Sequence, residues 1–173
     1  MDPLRLQLRE DEAVLAYLES EQLPSWRGSP SPWIVEGYSL TTHPDLCDRV
    51  TDVNAAAGNE AEFGYLYGKP VLVAQNGVIV TFANGTHTFC VRLPVAECGR
   101  ELVVTAEDDA KRYGVSSGSI HALVRKKRLQ LDALTQRDWT RLDPYAIAVP
   151  RAEGLARLAA HLERALERAT PQA

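Results

Sequence analysis

The stretch PVLVAQNGVIVTFANGTHTFCVRL, residues 70–93, leaves the chain the least freedom. Asn76-Gly77 and Asn84-Gly85 each sit between runs rich in Val, Ile, Phe and Thr, and such flanked Asn-Gly pairs are the strongest short-range hairpin signal. The reading is a three-stranded antiparallel meander. If both pairs close two-residue loops with both central residues at positive φ, Gln75 faces Val78 and Ala83 faces Thr86. Alternation then puts Val71, Val73, Val78, Val80, Phe82, His87, Phe89, Val91 and Leu93 on a face expected to be the core. Leu72, Ala74, Ile79, Thr81, Ala83, Thr86, Thr88, Cys90 and Arg92 share the other face, expected to be solvated or thinly covered.

The flanking sequence supplies helices for that sheet. Between Arg9 and Gln22, Ala13, Val14, Tyr17 and Leu18 form one stripe behind Glu10, Asp11 and Glu12, which favour a helix N-terminus. LPSWRGSPSPW, residues 23–33, can hold neither helix nor ladder and reads as a connector, its Trp26 and Trp33 pinning it to the core or serving as a stacking platform. Ile34 to Leu40 reads as one short strand. Thr42-His43-Pro44-Asp45 resembles a capping box with the Thr42 hydroxyl at the cap, opening a helix with Leu46, Val50, Val53 and Ala57 on one side and Gly58-Asn59 at its end. Phe63, Tyr65 and Tyr67 alternate as a further strand, Glu101 to Thr105 is a brief one, and Asp138 to Tyr145 is a linker or edge strand. Leu155, Leu158, Leu162 and Leu166 give the last helix, about 151–168, its apolar stripe.

The chain is therefore expected to be α+β: one domain over 1–173, with an N-terminal helix at 9–22, a connector at 23–33 and a core at 34–173. Its antiparallel sheet is the Asn-Gly meander plus one to three further strands, packed on one face by helices that include the C-terminal one. At 173 residues such a domain needs neither disulfide nor metal. Cys47, Cys90 and Cys98 are odd in number and irregular in spacing, so they read as reduced thiols of a cytoplasmic protein, and no leader or membrane-spanning run is evident.

Catalytic signatures are missing from the sequence. GYLYGK at 64–69 is one residue short of a phosphate loop and runs into Pro70. His43, His87, His121 and His161 stand in no metal-ligand spacing, and Arg100 near Cys98 is the one feature that could lower a thiol pKa. No cofactor or metal is expected, and a non-catalytic role fits better than an enzyme.

One segment points to a partner. In TAEDDAKRYGVSSGSIHALVRKKRLQ, Ala110, Gly114 and Ile120 stand at relative positions 0, +4 and +10, the spacing of a helix-turn-helix, with Tyr113, Val115 and Leu123 in other apolar slots. The second helix would present Ser116, Ser117, Ser119 and His121 to a groove, with Arg125, Lys126, Lys127 and Arg128 on phosphates. With Lys111 and Arg112, the run to Arg128 is basic and free of acid, while the whole chain carries a net charge of -4. Asp109 in a usually apolar slot and Gly118 in the second helix speak for the competing reading, a helical excursion with a solvated basic end. The function expected is binding of nucleic acid, DNA first, through 107–128; the alternative is a protein-interaction module, adaptor or inhibitor, using the second sheet face or the Trp26/Trp33 connector.

Taken as a series, a helix, a meander reading GKPVLVAQNGVIVTF and HTFCVRLP, a Trp-containing link and a terminal helix, the chain over about 45–168 resembles the MmcQ/YjbR and TfoX N-terminal group of small α+β domains. The Gly68-Lys69 entry to the hairpin is part of that likeness. The resemblance implies DNA binding without catalysis.

Overall fold

Tyr67 and Gly68 lie at φ 52° and 79° and join two strands whose end residues, Leu66 and Lys69, are paired. This is the two-residue turn with both residues at positive φ that matches the twist of a hairpin. It falls on a Tyr-Gly pair, and neither Asn-Gly pair makes one. The computed structural model describes residues 14, 15, 18, 33–35, 38–104 and 138–169. In order they form β1 (Trp33–Val35), β2 (Tyr38–Leu40), α1 (Pro44–Ala56), β3 (Glu62–Leu66), β4 (Lys69–Val73), β5 (Ile79–Asn84), β6 (Thr88–Val91), β7 (Thr140–Leu142) and α2 (Arg151–Ala169). Strands β3 to β7 make one antiparallel sheet in sequence order, and β1 and β2 make a separate hairpin where one strand was expected.

Both Asn-Gly loops are three residues long. At the first, the Gly77 N–H donates to Ala74 O and the Ala74 N–H to Val78 O, each at 2.8 Å, and of the pair only Gly77 has positive φ. The extra loop residue is offset by a bulge between Leu72 and Val73 on one side and Ile79 and Thr81 on the other. The two shifts cancel, so Val71 still faces Phe82 and Leu72 still faces Thr81. At the second, Asn84 pairs with Thr88 and Ala83 with Phe89, a slip of three residues from the expected Thr86. Tertiary bonding explains it: the Gly85 N–H donates to Thr41 O at 3.0 Å and Gly85 O accepts from the His43 N–H at 2.8 Å, so neither group closes a tight turn.

An odd slip exchanges the faces of a strand. Phe89, Val91 and Leu93 thus join Leu72, Ala74, Val80 and Ala83 on the face that packs against Leu46, Val50 and Val53 of α1 and Leu158, Leu162 and Leu166 of α2. Val71, Val73, Ile79, Phe82 and Cys90 lie on the other face with Leu66 and Trp139. Both faces are buried: Leu72, Ala74 and Ala83, expected on a solvated or thinly covered face, lie with the residues of α1 and α2, while Val71, Val73 and Phe82, expected on the core face, form this second face and are covered by Val14 and Leu18, both helical.

Helix α1 is capped by His43, whose Nδ1 accepts from the Asp45 N–H at 3.0 Å. The expected cap, Thr42, is buried instead, and its hydroxyl is within hydrogen-bonding reach of Gly68 O and Ala83 O, tying the start of α1 to the sheet. Within 101–104 the expected strand is reduced to a single bridge, Val103 to Leu142. Among the described residues no helix is long and apolar enough to cross a membrane.

Candidate functional site

The predicted nucleic-acid contacts Lys111, Arg112, Ser117, Ser119, His121, Arg125, Lys126, Lys127 and Arg128 lie outside the described residues, as do the proposed turn at Gly114 and the connector Trp26. What is described is how the chain leaves the sheet before this segment and returns after it. The Val104 N–H donates to Arg141 O at 3.0 Å, and the Asp143 N–H donates to Leu102 O at 2.7 Å. Residues 105–137 are therefore inserted in sequence between two backbone positions that are joined by hydrogen bonds at the β7 edge.

Helix α2 fastens both flanks of the insertion. Arg164 donates to Glu97 at 2.6 Å, Arg168 pairs with Glu97 and with Asp138 (3.0 Å), and Arg157 pairs with Glu101. The Arg164 hydrogen bond, with Arg168 beside it, holds the Glu97 carboxyl below its ordinary range. These pairs are exposed and individually stabilise little; their effect is to set position. A less exposed contact adds to them. Gly99 N–H donates to His161 Nε2 at 3.0 Å, and His161 Nδ1 lies 2.6 Å from Arg157 O. Because a carbonyl only accepts, the proton sits on Nδ1 and the ring is the neutral tautomer. His161, half-buried on α2, thus clamps the loop to the helix.

A second set of polar groups converges on the buried second sheet face, at the end where β4 and β6 begin. Asn84 and Thr88 face each other there, and continuing the Val71–Phe82 register by two residues puts Lys69 beside Asn84. Lys69, 1% exposed, donates through Nζ to Leu18 O at 2.9 Å, hooking the N-terminal helical residues onto the sheet. Arg141, opposite Cys90, stands one row further in. Sequence reasoning passed over these residues because Lys69 read as a failed phosphate loop and Asn84 as half of a turn. Their signal was a Lys and an Asn two positions from core valine and phenylalanine on strands that proved to be buried on both faces.

The other candidates disperse. His87 lies in the 85–87 loop, half-buried, with Nδ1 2.7 Å from Thr86 Oγ1, and not opposite Phe82. Burial pushes the Cys98 thiol up, the reverse of the activation that Arg100 suggested. Trp33 packs edge-on to His43, ring centroids 5.3 Å apart. Clefts of about 260 Å³ (Val78, Arg92, Asp138, Arg168) and about 580 Å³ (Glu60, Gln75, Asn76, Leu166) flank the end of α2. Among the described residues no group of His, Cys, Asp and Glu is arranged to hold a metal ion. No family model, curated protein or solved structure matches the chain.

Proposed function

We propose that this domain binds nucleic acid without catalysis, DNA in the first place, through the basic segment 107–128. The observation that carries the reading is the insertion geometry: the most basic run of the chain is spliced into a sheet edge whose two flanking backbones are hydrogen-bonded to each other and clipped to α2. A segment mounted in this way gains its affinity from phosphate neutralisation, while the sheet and helices fix where it begins and ends. The helix-turn-helix spacing of Ala110, Gly114 and Ile120 supports the same reading, as does the element order shared with the MmcQ/YjbR and TfoX N-terminal group.

The test is a titration with mixed-sequence duplex DNA at several salt concentrations. Wild-type affinity should fall with salt along a log–log slope of about -0.9 per phosphate contact. Replacing Arg125, Lys126, Lys127 and Arg128 by Glu should abolish the binding. A wild-type protein that leaves DNA unbound at low salt refutes the proposal.

A second reading, a module that binds another protein, draws on two protruding side chains, Ile34 at 73% and Ile147 at 78% exposed, the latter two residues from exposed Tyr145. The sheet face once a candidate for this role, that of Leu72, Ala74 and Ala83, is buried with the residues of α1 and α2. A partner retained by the wild type and lost on Ile34→Asp or Ile147→Asp would favour this reading, and DNA binding abolished by the charge reversal would exclude it as the primary role.

A further inference from the structure

His161 holds its loop by a bond that exists in one protonation state only, whether or not the domain binds nucleic acid. With the ring proton on Nδ1 and directed at Arg157 O, Nε2 is the acceptor for the Gly99 N–H at 3.0 Å. Gly99 O in turn accepts from the Leu102 N–H at 3.0 Å, and Leu102 O accepts from the Asp143 N–H at 2.7 Å. A line of hydrogen bonds thus runs from the ring on α2, through the 99–102 turn, to the backbone on the far side of the 105–137 insertion. A proton added at Nε2 turns the acceptor into a second donor, and an N–H then faces an N–H. Nor can the charged ring recover the bond by rotating, since both of its nitrogens now donate.

The charges around the ring do not offset this loss. On α2, Arg157 is paired with Glu101 and Glu153, and Arg164 with Glu97. The facing loop brings those same residues Glu97 and Glu101, the exposed Arg100, and Cys98, a thiol that burial keeps neutral. Both loop carboxylates are therefore engaged by arginines rather than by the imidazole. We propose that His161 is a pH-sensitive latch: its neutral ring holds Gly99 on α2, and its protonation releases Gly99 and loosens the turn that leads into the insertion. The latch is shut at neutral and alkaline pH and opens as pH falls through the range where imidazoles take up a proton. The Glu97 carboxyl, lying below its ordinary range, keeps its arginine pairs while the latch opens.

An NMR titration of the full chain between about pH 8 and about pH 5 tests this. The Gly99 amide proton should move upfield along the same curve as the His161 Cε1 proton, with the Leu102 amide following. His161→Gln sets a carboxamide oxygen, an acceptor that acid does not remove, near the position of Nε2, so in this variant the Gly99 amide should hold its place. At the acid end, hydrogen exchange at Gly99 and Leu102 should be about tenfold faster in wild type than in His161→Gln, a comparison at one pH that cancels the intrinsic pH dependence of exchange. If the Gln variant does not fold, the wild-type titration and its direction decide. Three results overturn the proposal: a Gly99 resonance that stays still while His161 titrates, one that moves as far in His161→Gln as in wild type, or equal exchange rates in the two proteins at acid pH.

Discussion

Asn54 bears more of the fold than its place near the end of a surface helix suggests. Its Nδ2 donates to Ala61 O at 2.9 Å and its Oδ1 accepts from the Ala61 N–H at 3.3 Å, so one side chain satisfies both backbone groups of a buried residue. Between them the chain passes Gly58 and Asn59 at φ 87° and 55° and then enters β3, the edge of the sheet. Asn54→Ala deletes both bonds. At a net value of about 1 kcal/mol each, the bonds alone account for about 2 kcal/mol. The stranded N–H and C=O of Ala61 add a desolvation penalty that water entering the opened loop will reduce, giving an expected loss of about 2–4 kcal/mol. Asn54→Asp should cost more above pH 5, since it sets a charged acceptor against Ala61 O in a buried position. Urea unfolding followed by circular dichroism measures both, with the midpoint shifting at constant slope if the native and unfolded ensembles are otherwise unchanged. A loss under 0.5 kcal/mol for Asn54→Ala, on the order of the scatter for surface substitutions, would refute the claim that this side chain holds the loop. So would an Asp variant no worse than the Ala one at pH 7.

Two further outcomes are expected. Tyr67 holds a left-handed conformation at the first position of the tight turn and is half exposed, so Tyr67→Asn should raise stability by about 0.5–1 kcal/mol; a lower urea midpoint would mean that the ring makes contacts worth more than the backbone relief. Burial first, and the Asp48 charge second, push the Cys47 thiol from an ordinary 9.0 up to about 11. A raised acid pKa gives stability that is complete below the unfolded value and lost as pH rises through the folded one, so wild type should weaken between pH 9 and 11 more steeply than Cys47→Ala. Parallel curves for the two proteins would remove Cys47 as the cause.

Periodicity was enough to read both described helices and most of the sheet. Leu46, Val50 and Val53 face the core from α1 and Leu158, Leu162 and Leu166 from α2, because a helix stripe needs only local spacing to be recognised. Turn chemistry was the weaker guide. Asn84-Gly85 encodes a hairpin, but its loop length was decided by Thr41 and His43, some forty residues away, and that slip exchanged the faces of β6. The first hairpin kept its expected pairs only because a bulge absorbed the longer loop. The meeting of Lys69 and Asn84 was illegible for the same reason: it depends on register, and the burial of their face depends on Val14 and Leu18 at the far N-terminal end.

The way the flanks of the basic insertion are held decides how salt experiments on the domain must be interpreted. The flanks of the basic insertion are clipped to α2 by exposed pairs of Arg157, Arg164 and Arg168 with Glu101, Glu97 and Asp138. Salt screens such pairs over a Debye length of about 8–10 Å at ordinary ionic strength, and it also competes with phosphate contacts. A fall in DNA affinity with salt thus mixes a loosened mount with lost contacts. Charge reversal at 125–128 touches none of these clips and removes only the proposed phosphate partners, so it is the cleaner measurement of the two. The backbone bonds between Val104 and Arg141 and between Leu102 and Asp143, with the uncharged His161–Gly99 contact, should persist at high salt. The insertion would then keep its anchorage while losing its attraction, and residual binding at high salt would report on base or shape contacts rather than on the mount.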